Sequence, residues 1–210
     1  MSQQPPTSTA TLVRSLRERV ADFEPGARER LHAALATKAA EAGLLDVAYR
    51  TVDSPLGPLL LAATPVGLVR VAFAVEDHDE VLGHLAVDIS PRILAAPQRL
   101  DDAARQLDDY FARRRRRFDL PIDLRLAHGF RRTVLEHLPE IPYGSTASYA
   151  AVAGASGNPT AVRAAASACS HNPLPLVVPC HRVVRSDGSI GNYLAGTAAK
   201  QALLDLEAAA

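Results

Sequence analysis

The chain has 210 residues, 48% of them hydrophobic, so it can form one large domain or two small ones around a real core. Its 23 Lys and Arg balance 23 Asp and Glu, which leaves no global field to draw in nucleic acid and requires any DNA contact to be local and shaped. No stretch approaches the ~18–20 uninterrupted apolar residues of a membrane span, the opening is polar rather than a signal peptide, and the expected compartment is the cytoplasm.

Leu12, Leu16, Val20 and Phe23 recur at helical spacing, and Pro25 opens a second helical run containing Leu31 and Leu35. Residues 1–45 therefore read as an N-terminal extension, with a helical hairpin over 9–45 that carries no recognisable chemistry. From Val47 the period changes: residues 47–52, 58–64 and 68–74 are strand-like, separated by Pro55-Leu56-Gly57 and Pro65-Val66-Gly67, which predicts a small antiparallel meander. Helical patterns over 77–87 and 97–111 make residues 46–123 an α+β domain, with Asp119-Leu120-Pro121-Ile122 as its last strand or the start of a linker. The five consecutive arginines at 113–117 could bind phosphate. At a helix end, however, cations complement the dipole and solvate freely, which favours an ordinary solvated face.

Residues 124–210 are mostly helical and rich in Ala, a second domain of different character. Ser145-Thr146-Ala147-Ser148 can cap a helix carrying Tyr149 and Val152, which Gly154 and Gly157 terminate. Asn158 then caps another helix, with Pro159 in its first turn, and Arg163 is the only long polar side chain over 160–170. Two short helices with a tight turn predict a helix-turn-helix. A helix of ~10 Å diameter exceeds a ~6 Å minor groove, but an Ala-rich one is slim enough to enter bent DNA; a plain packing helix reads equally well.

Only two cysteines are present, Cys169 and Cys180, too few for a zinc site built from cysteines alone. Pro179-Cys180-His181-Arg182-Val183-Val184 joins a potential nucleophile to a potential base. In an extended strand the two side chains would point to opposite faces, so they cooperate only if the backbone bends, for which Pro179 gives occasion, or if a water bridges them. Taken alone, the pair reads as a buried structural Cys with a satisfied His. Residues 186–193 read as a turn-rich loop or wing, and a last helix starts near Thr197. Glu207 falls three and four residues after Leu204 and Leu203, at the edge of the apolar stripe; if buried it would orient a histidine, and if not it is a solvated residue near the C-terminus.

Taken together, residues 46–210 resemble the O6-alkylguanine-DNA alkyltransferases. The resemblance rests on Pro179-Cys180-His181-Arg182 followed by Val183-Val184, with Gly191-Asn192-Tyr193 downstream and Asn158-Pro159, Arg163 and Asn172-Pro173 upstream. It implies a ribonuclease-H-like N-terminal domain over 46–123 and a C-terminal winged helix-turn-helix domain over 124–210. The implied activity is stoichiometric, irreversible transfer of an alkyl group from O6 of guanine, and also O4 of thymine, in double-stranded DNA to Cys180. His181 would activate the thiol through a water, oriented by Glu207. Tyr149 would donate to the flipped base, Arg163 would replace the extruded nucleotide, and Asn172 would brace the site. Asn158, Thr160, Ala161 and Ala164 would meet the DNA from the minor-groove side, and Pro175, Val183, Tyr193, Leu194 and Ala195 would line the pocket. Pro175 with only Ala195 at a wing position suggests room for adducts bulkier than methyl. No cofactor, metal or membrane is expected, and the protein should act as a monomer. The zinc site that some relatives carry in the N-terminal domain finds no cysteine here before residue 169.

Three other classes compete. A DNA-binding module without transfer activity would not need Cys180. A cysteine hydrolase using Cys180, His181 and Glu207 would turn over, although a Cys adjacent to its His is unusual for such enzymes. A metal site built from Cys169, His171, Cys180 and His181 fits no common zinc spacing.

Overall fold

In the computed structural model, which describes residues 26–208, the change of hydrophobic period at Val47 becomes a sheet. Strands β1 (Val47–Val52), β2 (Leu59–Ala63) and β3 (Leu68–Phe73) form the expected antiparallel meander, with Ala48 opposite Ala63 and Leu59 opposite Phe73. β2 is buried along its whole length because it faces two cores. Leu59 and Leu61 join Phe73 and Val71 on one side, while Leu60 and Ala62 meet Val81 and Leu85 of helix α2 (His78–Asp88) on the other. A strand buried on both faces shows no alternation, and its continuous apolar run is what burial on two sides demands.

The expectation of a purely antiparallel sheet is corrected by a fourth strand. β4 (Ile93–Ala95) pairs parallel to β1, giving a mixed sheet in the order β3-β2-β1-β4. Three residues after a proline are too short to show a period, and the parallel direction follows from α2 crossing over between β3 and β4. Asp119-Leu120-Pro121-Ile122 is a strap rather than a strand: Leu68 N–H donates to the Pro121 carbonyl, and Leu68 and Ile122 form a single parallel bridge.

Of the expected helical hairpin, only helix α1 (Ala27–Glu41) is described; its first half lies outside the described residues. α1 turns Ala36 and Ala39 to the edge of the sheet beside Ala48 and Leu94 and leaves Leu31 and Leu35 exposed. Helix α3 (Asp101–Phe111) buries Ala103, Leu107 and Tyr110, and ends where Arg113 takes a left-handed φ of 60°. The arginines beyond it are solvated as a helix end allows, with Arg114 paired to Asp109 at 2.8 Å.

In the second domain, helices α4 (Gly129–His137), α5 (Tyr149–Ala155) and α6 (Val162–Ser170) pack together, and α7 (Gly196–Ala208) closes the chain. Ser148 caps α5 by accepting from Ala151 N–H. The helix expected to start at Asn158 starts at Val162 instead. Asn158 spends its side-chain oxygen on the Thr160 hydroxyl at 2.8 Å, and its carbonyl accepts from Ala161 N–H, so residues 158–161 make a turn. Both domains share one hydrophobic cluster, from Leu59 and Phe73 through Leu135 to Leu176 and Leu203. No helix among the described residues is long and apolar enough to cross a membrane.

Gly67 is held by contact, since a Cβ there would lie 2.3 Å from the Pro121 carbonyl oxygen. Gly67→Ala should push the strap off the β2–β3 turn and lower unfolding free energy by about 1–3 kcal/mol, the usual cost of forced overpacking. Denaturant titration measures this; an unchanged midpoint would mean that the strap yields without loss.

Candidate active site

Pro179 ends a buried loop, and Cys180–Arg182 follow as one 3₁₀ turn before the short strand Val183–Val184. Cys180, His181 and Arg182 are all buried, and the turn supplies the bend that a straight strand would not. Val183–Val184 lies parallel to Ala147–Ser148, which fixes Cys180 relative to Tyr149 at the start of α5.

Glu207 reaches this turn from α7 with only 2% of its surface exposed. One oxygen, Oε1, accepts from His181 Nε2 at 2.9 Å, Arg182 Nη2 at 3.0 Å and the Tyr110 hydroxyl at 2.7 Å. The other, Oε2, accepts from Arg182 Nε at 2.9 Å and Gly144 N–H at 3.2 Å. Burial pushes the carboxyl pKa up, but the bonds from His181, Arg182 and Tyr110 outweigh it and hold it at about 2. His181 is fully buried, and that burial, only partly opposed by Glu207, lowers its pKa below 6.5. The imidazole is therefore neutral at pH 7, with Nε2–H given to Glu207 and a lone pair left on Nδ1, a buried atom without a protein partner.

The thiol itself is raised to about 11 by burial, against the pull of a hydrogen bond to Asn172 and the charge of Lys200. No standing thiolate exists at neutral pH. The arrangement instead offers a free imidazole lone pair to take the thiol proton when a substrate is in place. Asn172 also ties the loop ahead of Cys180, donating to the Val178 carbonyl at 2.8 Å and accepting from Leu174 N–H at 2.9 Å.

Tyr149, Ala166, Ser167, Ser170, Arg185, Gly191 and Asn192 line a cavity of about 280 Å³ between α6 and the loop after Val184. Gly191 is required there, because a Cβ would sit 2.7 Å from the Tyr149 hydroxyl. Burial first, and then the two cysteines, raise the Tyr149 pKa, so its hydroxyl stays a donor. Of the pocket residues expected from sequence, Pro175 and Val183 are buried, and Tyr193 packs edge-on to Phe73 at 5.8 Å and His181 at 6.4 Å. Ala195 is half-buried, and Leu194 faces a cleft of about 310 Å³ shared with Asn172 and Pro173. Asn158, Thr160, Arg163 and Ala164 are exposed and Ala161 half-exposed, at the start of α6.

Three contributors went unread in the sequence. Tyr110 fell unremarked within the helical pattern over 97–111, and Arg182 stood in the Pro179–Arg182 run without a task. Lys200 is fully buried, donates to the Val183 carbonyl and stands 5.9 Å over the Tyr149 ring. The spacing Lys200, Leu203, Glu207 is itself a helical stripe and could have signalled that both charged groups face inward. Among the described residues no group of three or more His, Cys, Asp or Glu side chains could hold a metal ion.

The site thus sets a buried thiol next in sequence to a histidine that is held by a saturated carboxylate. Residues 47–124 match the ribonuclease-like domain of 6-O-methylguanine DNA methyltransferase, and residues 129–209 match its DNA-binding domain. The methylated-DNA–protein-cysteine methyltransferase of Mycobacterium tuberculosis is 38% identical over 76% of this chain and 91% of its own length; that of Methanosarcina barkeri is 36% identical over 76% and 96%. Among solved structures, Mycobacterium tuberculosis O6-methylguanine methyltransferase has a TM-score of 0.68 at 37% identity, covering 78% of this chain and 93% of that one. The Mycobacterium tuberculosis protein in complex with DNA has a TM-score of 0.67 at 36% identity, covering 77% and 93%. The chain belongs to the 6-O-methylguanine DNA methyltransferase family, whose members repair DNA by direct reversal, moving an alkyl group from guanine to a cysteine of their own.

The Glu207 pKa carries a stability consequence. A carboxyl held below its unfolded value adds stability that is complete above about 4.5 and is lost as pH falls towards 2. Glu207→Gln should melt at lower temperature at pH 7 and lose less on acidification than the parent, as followed by calorimetry. Equal acid sensitivity in both proteins would place the effect in other groups.

Proposed function

We propose that Cys180 is the alkyl acceptor and that the C-terminal domain delivers a flipped O6-alkylguanine to it. The observation that carries this is the buried Cys180-His181-Glu207 arrangement with His181 Nδ1 left unpartnered. Through a water, Nδ1 takes the thiol proton while sulfur attacks the alkyl carbon in line; the S–C bond forms, the C–O6 bond breaks, and its electron pair leaves on guanine. Tyr149 donates to the departing base as charge develops on it. The resulting thioether has no route back, so each molecule acts once. The same displacement serves O4-alkylthymine, whose alkyl group is carried on an equivalent exocyclic oxygen.

DNA enters from the minor-groove side against α6, whose exposed Ala164 and Arg163 offer a slim surface with one long cation. Helices α5 and α6, with the loop over 185–195 as wing, make the winged helix-turn-helix, and Arg163 fills the space of the extruded nucleotide. Asn158 and Thr160 meet the backbone from the turn ahead of α6. The site is completed within one chain, which suits a monomer, and both cysteines stand free and buried, as in the reducing cytoplasm. Residues 46–123 and 124–210 are the two domains, and residues 1–45 an extension to them. Pro175 in the pocket lining, with only Ala195 at a wing position, favours adducts bulkier than methyl.

Incubation with a duplex containing O6-methylguanine should add one methyl group per protein, mapped to Cys180 by peptide mass spectrometry and absent from Cys180→Ala. A lesion bound without any mass change would instead indicate a sensor, and repeated release of product a hydrolase. Arg163→Ala should slow transfer from duplex DNA roughly ten-fold or more while leaving transfer from free O6-benzylguanine unchanged, because only the duplex charges the cost of unstacking. Equal loss on both substrates would remove Arg163 from the flipping step.

A further inference from the structure

Tyr110 belongs to the N-terminal domain, yet its hydroxyl lies inside the relay of the other domain. It is 0% exposed, donates to Glu207 Oε1 at 2.7 Å, and its oxygen is 3.4 Å from His181 Nε2. The ring is fixed by Phe111, Phe118 and Tyr143, whose centroids lie 5.4, 5.3 and 6.1 Å away. We propose that Tyr110 is a positioning residue for alkyl transfer, holding His181 in the Nε2–H tautomer and keeping Nδ1 free for the thiol proton. This rests on the reading of Cys180 as acceptor.

The reasoning is a count of hydrogens. A phenol has one, and here it goes to the nearer, charged acceptor, Glu207 Oε1. The phenol oxygen and Oε1 then both present lone pairs to Nε2, so a bare Nε2 would meet two acceptors and no donor. Only Nε2–H satisfies them, and in a neutral imidazole that leaves Nδ1 as the base. Tyr110 also lowers the demand of the carboxylate. With a phenol on Oε1, Glu207 stabilises an imidazolium less, and His181 remains neutral and ready at pH 7. The groups that face His181 are few: Glu207 from α7, Arg182 beside it, Lys200 from α7, Tyr193 from the loop after Val184, Cys180, and Tyr110 from α3. Tyr110 is the neutral donor among these that bonds Glu207. The same domain grips the far side of the site, where Val71 N–H and Arg70 Nη1 donate to the Pro173 carbonyl at 2.9 and 3.3 Å, next to Asn172. The N-terminal domain therefore bonds to both sides of the site.

Tyr110→Phe removes the hydroxyl and keeps the packed ring. In the full-length protein we expect single-turnover transfer to slow about ten-fold at pH 7, by the same factor from O6-methylguanine duplex and from free O6-benzylguanine, with duplex affinity unchanged within two-fold. The acid limb of the rate profile should move to higher pH, because an unrelieved Glu207 makes His181 more basic. ¹⁵N imidazole NMR of the unreacted protein reads the same change without activity: the parent should show Nε2–H with bare Nδ1, and the variant a mixed population titrating at higher pH. A variant with parental rate, pH profile and imidazole shifts would overturn the proposal, as would a loss confined to thermal stability. Absence of transfer in the parent protein would instead refute Cys180 as acceptor, and the NMR result would still decide the role of Tyr110.

Discussion

The Glu207 carboxylate organises the second half of this molecule. A buried carboxylate is tolerated only when its charge and lone pairs are answered, and here five contacts from four residues answer it: His181, Arg182 through two nitrogens, Tyr110 and the Gly144 backbone. Those donors come from the turn that carries Cys180, from the loop before the Ala147–Ser148 strand, and from the first domain. One anion thus ties the C-terminal helix to three other parts of the fold, and the geometry of the thiol follows from where they meet.

This explains why the two domains share a core rather than merely touching. If α3 shifted relative to α7, Tyr110 would leave Glu207, and a buried charged group would lose a donor. The shared cluster from Leu59 to Leu203 and the two hydrogen bonds that Val71 and Arg70 donate to the Pro173 carbonyl hold that register. Hydrophobic burial supplies the cohesion, while the polar contacts choose one arrangement among the many that burial alone would accept.

Much of this was legible in the residues. The shift from helical to strand period at Val47 and the Pro179-Cys180-His181-Arg182 run have local signatures, whereas Glu207 was left open by its own surroundings and gained its inward role from the resemblance, which covers the chain from residue 46. What was not legible has a common physical cause: it depends on partners distant in sequence. Tyr110 sits 97 positions before Glu207, and nothing near it distinguishes a core tyrosine from a donor. β4 is three residues long and exists because β1 offers an edge. Asn158 has the chemistry of a helix cap, yet a hydroxyl two residues on captured its oxygen first. Local rules predicted the cap correctly as a tendency and wrongly as an outcome, because two local acceptor patterns competed.

The high resting pKa of Cys180 is itself a functional choice. A thiolate stabilised in advance would react with any electrophile that reached it, and an acceptor that works once cannot tolerate that. Burial pushes the Cys180 thiol up to about 11 and so disfavours the thiolate in the resting site. In the proposed transfer the proton passes to His181 as an alkyl carbon comes into line, which would make recognition of the damaged base and activation of the nucleophile one event. The cost is a slower intrinsic attack than a free thiolate would give. Proximity would offset it, since a base bound against Cys180 presents its carbon at an effective concentration no solution electrophile reaches.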